Sequence, residues 1–417
     1  MLDINYIREN LEKIKKSVEA RKSDVDLEKL LALDDQRRDL IAKVDELRAK
    51  RNVAAKSVQG TPSDKNIEDG KKIKEELGGL EKQLGEAESE WTKLMLQVPN
   101  ILLDGVPIGD ATKNKVIRKE GEIPKYKFSV KDHIELGKLL DIIDFERGVK
   151  VGGFRGYFLK NEGAKLHWAV LNFALDHLIQ KGFSPVVPPI INKGFALLGG
   201  GQFPWNEEDT YKIGEDEYLV GTAEMPLMAM HAGETFEAKD LPKKYVGMSA
   251  CFRTEIGSYG KDTKGLYRVH EFYKVEQVIL CEADEKDSLG FFEDLQDNSE
   301  DILQELGLPY QVVCLSSQDM GKKASLTYDI ETWMAAREGY GETHSNSICL
   351  DFQTRRLKIK YKDKDGQVKF AHALNNTAIA SPRILIALLE NFQQEDGSVK
   401  IPEVLQKYTG FSEIKPK

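Results

Sequence analysis

A long apolar repeat near the amino terminus limits that part of the chain to one kind of structure. From Ile73 onward, apolar side chains recur at alternating spacings of four and three residues, which is typical of the contact seam of a coiled-coil helix. The positions are Ile73, Leu77, Leu80, Leu84, Ala87, Trp91 and Leu94. A weaker seven-residue repeat precedes them, at Leu33, Leu40, Leu47 and Ala54. The sequence therefore predicts two coiled-coil helices.

The two predicted helices are separated by residues 59–70, which include Gly60, Pro62, Ser63 and Asp64. These residue types break helices and favour turns. We expect an antiparallel hairpin whose arms, at about 1.5 Å per residue, each reach roughly 45 Å.

Basic charge is concentrated on the first arm, although the 417-residue chain has a net charge of −9. Between Arg37 and Lys56 there are seven Lys or Arg residues and three acidic ones. This pattern is consistent with an ordinary solvated helix surface and also with an arm that binds a nucleic-acid backbone. Composition alone leaves both interpretations open.

Residues 99–110 interrupt the helical pattern with Pro99, Gly105, Pro107 and Gly109. We therefore predict a helical hairpin domain over residues 1–104 and a mixed domain over 105–417. In the second domain, an apolar helix is predicted over Leu166–Ile179. Strands are predicted over Tyr245–Phe252, Tyr267–Leu280 and Leu357–Tyr361.

Cellular context is indicated by the absence of any run of about 18 uncharged apolar residues, the length needed to span a membrane. Met1–Lys16 mixes charges with Leu and Ile, unlike a signal peptide, so we expect a cytoplasmic protein without membrane association. The cysteines are far apart in sequence, which predicts reduced and mostly buried thiols. They are Cys251, Cys281, Cys314 and Cys349.

Two strand-like segments around a Gly-rich loop carry the strongest signal for chemistry. Alternation in a strand places Arg253 and Glu255 on one face, and Arg268, His270, Phe272 and Glu276 on one face of the next strand. On an exposed sheet these would be ordinary solvated charges. The intervening loop combines glycines with basic residues and suits the approach of a polyanionic substrate. Its residues include Gly257, Gly260, Lys261, Asp262, Thr263, Lys264 and Gly265.

At these segments the sequence resembles the class II aminoacyl-tRNA synthetases, and most closely the seryl-tRNA synthetase family. The resemblance rests on several segments in the order of that family. They are Gly199–Pro204, Gly221–Glu224, Phe252–Glu255, Arg268–Glu276, Tyr328–Trp333, Asp351–Arg356, Leu374–Thr377 and Arg383. It implies an α+β fold with a class II antiparallel β-sheet of six or seven strands flanked by helices. It also implies that the amino-terminal antiparallel two-helix coiled coil is a tRNA-binding arm.

The resemblance further implies ATP-dependent activation of L-serine to seryl-adenylate and transfer of the seryl group to tRNA(Ser), with tRNA(Sec) as a further acceptor. Arg253 and Arg383 are the implied catalytic residues. The implied serine-binding residues are Thr222, Ala223, Glu224, Arg253, Glu276, Asn375 and Thr377. The implied ATP-binding residues are Arg253, Thr254, Glu255, Val269, Phe272, Glu342, Thr343, His344, Ser345 and Arg383. Glu342 is implied to hold Mg²⁺ through the ATP phosphates.

The local sequence supports the implied position of Arg383. Ser381 and Pro382 resemble a helix cap and a first helical residue, so Arg383 is predicted at a helix amino terminus, where anions are favoured. The family's first motif, placed near Phe183–Asn192, implies a homodimer, although this segment is also compatible with an ordinary core strand.

Two alternative functions remain at this point. One is an enzyme of similar fold that loads an amino acid onto a carrier protein; the resemblance implies that such enzymes lack the long arm. The other is an inactive RNA-binding paralogue, which the charged residues of the site argue against. Exclusion of threonine is not determined by the sequence.

Overall fold

We analysed a computed structural model of the chain, which describes residues 1–57, 63–256 and 264–417. The chain divides into two compact units, Met1–Pro99 and Asn100–Lys417. Within the described residues, none of the helices combines the length and apolar composition that crossing a membrane requires.

The first unit consists of helices α1 (Ile4–Glu9), α2 (Leu11–Ala20), α3 (Leu27–Ser57) and α4 (Asp64–Gln97). The Ser63 side chain caps α4 by accepting a hydrogen bond from the Asn66 backbone. Residues 64–70, which we predicted as part of the turn, are therefore helical, because an N-cap serine favours helix initiation. Gly60 and Pro62 lie outside the described residues.

Helices α3 and α4 pack along the predicted seam, where Val44, Leu47 and Leu77 are buried. Residues that come later along α3 contact residues that come earlier along α4. The Arg37 guanidinium lies 4.6 Å from the centre of the Trp91 ring, whereas Arg48 contacts Glu81 at 2.8 Å. This confirms the antiparallel coiled-coil hairpin.

The second unit is built from short helices around β-sheets. Its helices are α5 (His133–Leu139), α6 (Phe145–Gly152), α7 (Asn161–Gln180), α8 (Gly194–Gly199), α9 (Glu224–Ala229), α10 (Glu285–Glu305), α11 (Phe352–Leu357), α12 (Arg383–Asn391) and α13 (Glu403–Thr409). Its strands up to the middle of the unit are β1 (Lys115–Glu120), β2 (Ile143–Asp144), β3 (Phe158–Leu159), β4 (Ser184–Val186), β5 (Ile191–Asn192), β6 (Tyr218–Leu219), β7 (Thr235–Glu237), β8 (Lys243–Phe252) and β9 (Glu271–Cys281). The later strands are β10 (Tyr310–Cys314), β11 (Leu326–Met334), β12 (Gly339–Leu350), β13 (Lys360–Lys362), β14 (Val368–Phe370), β15 (His372–Ser381), β16 (Val399–Lys400) and β17 (Glu413–Ile414).

The main sheet has the strand order β1-β10-β11-β12-β15-β9-β8-β4. Its neighbouring strands are antiparallel except for β4 and β8, which are parallel. The predicted antiparallel sheet is confirmed, but in the described part of the chain it has eight strands where we expected six or seven. The edge strand β1 is mostly exposed and β4 has only three residues, so neither carries the apolar alternation by which strands are recognised.

One face of the sheet is covered by α7 and α10, whose apolar residues form a single core with the strands. On β9, Val275 and Ile279 point into this core, and Gln277 hydrogen-bonds the Leu295 carbonyl of α10. Because side chains alternate along a strand, the even-numbered positions of β9 point to the opposite face. That face carries the candidate site.

Three local predictions differ from the structure. The strand predicted from Tyr267 begins at Glu271. Leu357 ends α11, and Lys358 has a left-handed backbone (φ 56°), so β13 begins only at Lys360. Ser381 does not cap a helix: it is the last residue of β15, and its hydroxyl bonds the ring of His167.

Other local predictions are confirmed. The helix predicted over Leu166–Ile179 lies within α7, and the strand predicted over Tyr245–Phe252 lies within β8. The four cysteines are free and buried.

Candidate active site

A cavity of about 780 Å³ opens on the sheet face opposite α7 and α10. It is lined by residues of β9, β11, β12 and β15 together with the segments that follow β6 and β8 and precede β11. Most of the lining is polar or charged, as expected for a site that binds charged ligands. Its side chains form two groups, one around Glu276 and one around Arg383.

The first group is centred on Glu276 of β9, a carboxylate that is almost fully buried. Its Oε2 lies 2.5 Å from Nζ of Lys274 and accepts a hydrogen bond from the Thr377 hydroxyl at 3.3 Å. Thr377 is the cross-strand neighbour of Glu276 on β15. Burial, followed by the nearby charge of Glu224, raises the pKa of Glu276, while Lys274 opposes this rise. The strand register therefore brings Thr377 to a carboxylate that lies 101 residues away in sequence.

A second buried carboxylate, Glu224, begins α9 and also lines the cavity. The Glu224 backbone N–H donates to the Thr222 hydroxyl at 3.2 Å. Glu224 Oε1 accepts from the ammonium of Lys323 and, at 2.7 Å, from the Gln353 side chain. This end of the cavity thus holds two carboxylates, each paired with a lysine.

Arg253 lines the same cavity. It follows the end of β8, and its guanidinium donates to the Gly221 carbonyl at 3.3 Å, next to Thr222. The same guanidinium lies 5.3 Å from the centre of the Phe272 ring on β9. The Arg253 guanidinium is therefore held beside Thr222 and the Phe272 ring.

Glu255 and Arg268 form an ion pair on the cavity wall, with 2.5 Å between the Arg268 guanidinium and Glu255 Oε2. The Glu255 backbone is left-handed (φ 55°), and its N–H donates to Asp209 at 2.7 Å. The hydrogen bond to Asp209 holds the chain in a conformation that non-glycine residues seldom adopt.

Arg383 is the first residue of α12, as the sequence predicted for a helix amino terminus. Its guanidinium donates to the carbonyls of Tyr267 (3.0 Å) and Glu342 (2.9 Å) and lies 3.6 Å from the Glu342 carboxylate. It also covers the Tyr267 ring at 4.5 Å. These contacts fix the guanidinium at the edge of the cavity.

Beside Glu342, β11 and β12 contribute Asp329, His344 and Ser345 to the lining. Burial lowers the pKa of His344 to about 3, so this imidazole is neutral near pH 7 and is a poor candidate for a general base. Burial, and next the negative charge of Glu342, raise the pKa of Asp329 well above its ordinary value. Asp329 Oδ1 is buried without a hydrogen-bond partner among the described residues.

The structure brings most of the predicted site residues to this one cavity. The serine-binding candidates that line it are Thr222, Glu224, Arg253, Glu276, Asn375 and Thr377. The ATP-binding candidates that line it are Arg253, Glu255, Val269, Phe272, Glu342, Thr343, His344, Ser345 and Arg383. Ala223 and Thr254 are not part of the lining: Ala223 is fully buried, and the Thr254 hydroxyl donates to the Glu208 carbonyl. Gly257, Gly260, Lys261, Asp262 and Thr263 of the predicted Gly-rich loop lie outside the described residues.

Comparison with known proteins identifies both units. Residues 1–102 match the model of the seryl-tRNA synthetase N-terminal domain, and residues 208–392 match that of the tRNA synthetase class II core domain (G, H, P, S and T). A serine-tRNA ligase of Deinococcus radiodurans is 45% identical, and the alignment covers 99% of each chain. The chain belongs to the seryl-tRNA synthetase family. The family and the class II fold predicted from the sequence are thus confirmed.

Two solved structures of this family superpose on the whole chain. The seryl-tRNA synthetase of Pyrococcus horikoshii complexed with ATP is 40% identical, with a TM-score of 0.90, and the match covers 100% of both chains. The cytoplasmic serine-tRNA ligase of Naegleria fowleri in complex with AMP is 35% identical, with a TM-score of 0.87, and covers 100% of this chain and 99% of its own.

Sequence reasoning singled out Arg268 without giving it a role, and it missed other charged residues that line the cavity, among them Lys274, Lys323 and Asp329. Arg268, Lys274 and Asp329 lie within segments that carried the family resemblance, so their positions gave a signal that was not used. Lys323 lies outside those segments, and nothing in the sequence indicated that it contacts Glu224.

Proposed function

We propose that this chain is an ATP-dependent serine-tRNA ligase, which activates L-serine to seryl-adenylate and transfers the seryl group to tRNA(Ser). The observation that carries the proposal is a single cavity lined by two carboxylates that are each paired with a lysine, by Arg253, and by Arg268 and Arg383. The names of the Deinococcus and Naegleria relatives and the ATP complex of the Pyrococcus relative support it.

The carboxylate end suits a small amino acid with an ammonium and a hydroxyl group. Glu276 and Glu224 would accept hydrogen bonds from these groups, with Thr222, Thr377 and Asn375 around them. A buried acceptor left unpaired by an analogue without the hydroxyl costs free energy, so such a site rejects alanine. The carboxylate of the amino acid would lie against Arg253, since a guanidinium binds carboxylates through a planar fork.

The arginine end suits a nucleoside triphosphate. Phe272 offers an aromatic face for the adenine ring, and Glu255 an acceptor for its amino group. Arg268 and Arg383 lie at positions suited to the phosphates, and Arg383 also benefits from the helix amino terminus. Val269, Thr343 and Ser345 complete this part of the wall.

In the first step, a carboxylate oxygen of serine attacks the α-phosphorus of ATP. A new P–O bond forms, the bond from the α-phosphorus to the bridging oxygen breaks, and pyrophosphate leaves. No proton has to be removed, so catalysis depends on placing the reactants and on stabilising the charge at phosphorus. Arg253 serves both purposes, while Arg383 holds the departing pyrophosphate.

The donor set beside Arg383 fits a magnesium ion. Asp329 has a buried carboxylate oxygen without a partner in the described residues, and Glu342 and Ser345 supply further oxygens. Oxygen donors of this kind bind Mg²⁺ together with phosphates, and the ion would neutralise phosphate charge. We infer that Glu342, with Asp329 beside it, would hold Mg²⁺ when ATP is bound.

In the second step, a terminal ribose hydroxyl of the tRNA attacks the carbonyl carbon of seryl-adenylate. An ester bond forms, the bond from that carbon to the phosphate oxygen breaks, AMP leaves and the hydroxyl proton is released. We propose residues 1–104 as the tRNA-binding arm and residues 105–417 as the catalytic domain. On the arm, Lys43, Arg51 and Lys56 are exposed and form no ion pair within the described residues. They are therefore available for phosphates. Use of tRNA(Sec) as an additional acceptor is a separate proposal that charging assays can test.

We further propose that the enzyme is a homodimer. The segment where the first motif was expected exposes apolar side chains on the single chain, with Val187 94% exposed and Ile191 51% exposed. Neighbouring exposed apolar residues often mark a protein interface.

Pyrophosphate exchange tests the activation step. Purified protein with ATP and Mg²⁺ should exchange pyrophosphate in the presence of serine, and far less with threonine, alanine or glycine. Charging of a tRNA(Ser) transcript, with a carrier protein as the alternative acceptor, then tests the transfer. Exchange without tRNA charging would favour the carrier-protein enzyme, and no exchange by a folded protein would favour the inactive RNA-binding paralogue.

A further inference from the structure

Lys323 contacts the amino-acid end of the cavity from a segment that carried no motif. It lies shortly before β11, and its ammonium pairs with Glu224 Oε1. A side chain at Gly201, where φ is 81°, would lie 3.0 Å from Cβ of Lys323, so the Lys323 stem packs closely against this backbone. The lysine is therefore held at both ends.

The contacts of Glu224 are asymmetric. Oε1 accepts from Lys323 and from Gln353 Nε2, and Gln353 is itself anchored to the Gly200 carbonyl at 2.7 Å. In the described part of the chain, no donor contacts Oε2. With its side chain only 5% exposed and one oxygen held by two donors, the carboxylate has little freedom to rotate. Oε2 is left as the acceptor for a ligand in the cavity.

Glu276 is held in the same manner, since Lys274 and Thr377 both contact its Oε2. Two neighbouring buried carboxylates repel each other, and an unpaired buried charge is costly. Glu224 raises the pKa of Glu276, and the charge of Lys323 acts in the opposite direction. The charge of Lys323 thereby offsets part of the repulsion between the two carboxylates.

We propose that Lys323 is a positioning residue that determines substrate specificity: by holding Glu224 Oε1 it leaves Oε2 as a single directed acceptor for the amino-acid substrate. This inference rests on the proposed function and deepens it. A carboxylate with one available oxygen in a fixed direction discriminates between amino acids with and without a hydroxyl more sharply than one that can turn toward other donors.

The test is Lys323→Met, which keeps an unbranched apolar stem and removes the charge. In pyrophosphate exchange, we expect the KM for serine to rise about tenfold or more while the KM for ATP stays within about twofold, because truncating one partner of a buried ion pair acts locally. The ratio of kcat/KM for serine to that for alanine should fall by about tenfold. Lys369→Met is the matched control, since it removes the lysine of an ion pair with Asp363 outside the cavity.

Thermal unfolding and circular dichroism establish whether each variant is folded. If Lys323→Met is not folded, Lys323→Gln, which retains a polar donor, replaces it. A wild-type serine KM and alanine ratio in the folded variant would overturn the role of Lys323. Equal changes in both KM values and in kcat would also overturn it, because they indicate a general structural defect. Absence of serine-dependent exchange by the wild type would instead refute the proposed function.

Discussion

Replacing Glu276 by glutamine removes one negative charge from the amino-acid end of the cavity and leaves the length and shape of the side chain unchanged. The carboxylate is 1% exposed, lies 2.5 Å from the Lys274 ammonium and accepts a hydrogen bond from Thr377. In the variant, the Lys274 ammonium loses its closest counter-charge, and an incoming substrate ammonium loses a charged acceptor.

The magnitude follows from these two losses. Removing one member of a buried, hydrogen-bonded charge pair costs about 2–5 kcal/mol in binding. Since about 1.4 kcal/mol is a factor of ten, kcat/KM for serine should fall by about 30-fold to several thousand-fold. The same change costs about 3–5 kcal/mol of the free energy of unfolding, which lowers Tm. A protein whose free energy of unfolding lies in the upper part of the usual range of about 5–15 kcal/mol remains folded after this loss.

Pyrophosphate exchange at varied serine and varied ATP separates the two ends of the cavity. We expect the serine KM to carry most of the effect and the ATP KM to change by about twofold or less, because the ATP end lies beyond Arg253. Glu390→Gln is the matched control: Glu390 is a buried carboxylate that is not part of the cavity lining, and it accepts from the backbone and ring of His133. That variant should have a lower Tm than the wild type and the same serine KM.

A Glu276→Gln protein that is folded and has a serine KM within about twofold of the wild type would refute the assignment of Glu276 to the substrate pocket. A serine defect of equal size in the Glu390→Gln control would show that the effect arises from lost stability.

Three further outcomes are expected. Replacing Lys43, Arg51 and Lys56 together by glutamine should weaken tRNA binding, reduce the slope of log K against log salt by about 2–3, and leave serine-dependent exchange unchanged, as measured by filter binding at several salt concentrations. Val187→Asp should shift the protein from dimer to monomer in light scattering, because a charge would be buried in the proposed interface. Because the pKa of Asp329 is raised in the folded state, its ionisation lowers stability as the pH rises through that value. Asp329→Asn should therefore exceed the wild type in Tm at about pH 8 and differ little near pH 4, and Mg²⁺ with ATP should raise the Tm of the wild type more than that of the variant.

Alternation along a strand predicted only part of the site. Arg253 and Glu255 follow the end of β8, and Arg268 and His270 precede β9, so the rule does not apply to them. Phe272 and Glu276 share a face of β9 because side chains alternate along any strand, and this was readable from the sequence. Arg383 lies at a helix amino terminus, as expected. However, Pro382 is the N-cap where we predicted the first helical residue, and Ser381 bonds His167 and does not cap the helix. The prediction for Ser381 failed because a buried imidazole from another helix competes for its hydroxyl.

By itself, the sequence determined the coiled-coil hairpin, the family and part of the cavity lining, since these depend on periodicity, turn chemistry and the order of motifs along the chain. Only the tertiary structure decided which side chains from distant parts of the chain contact each other. Lys323 reaches Glu224 from 99 positions away, and Thr377 reaches Glu276 from 101. The effect of the Glu342 charge on Asp329 depends on how β11 and β12 are aligned, since Asp329 lies opposite Ser345 and Glu342 lies opposite Glu331. Contacts between charged groups of distant segments depend on strand register and on burial. Neither register nor burial can be read from individual residues of a linear sequence.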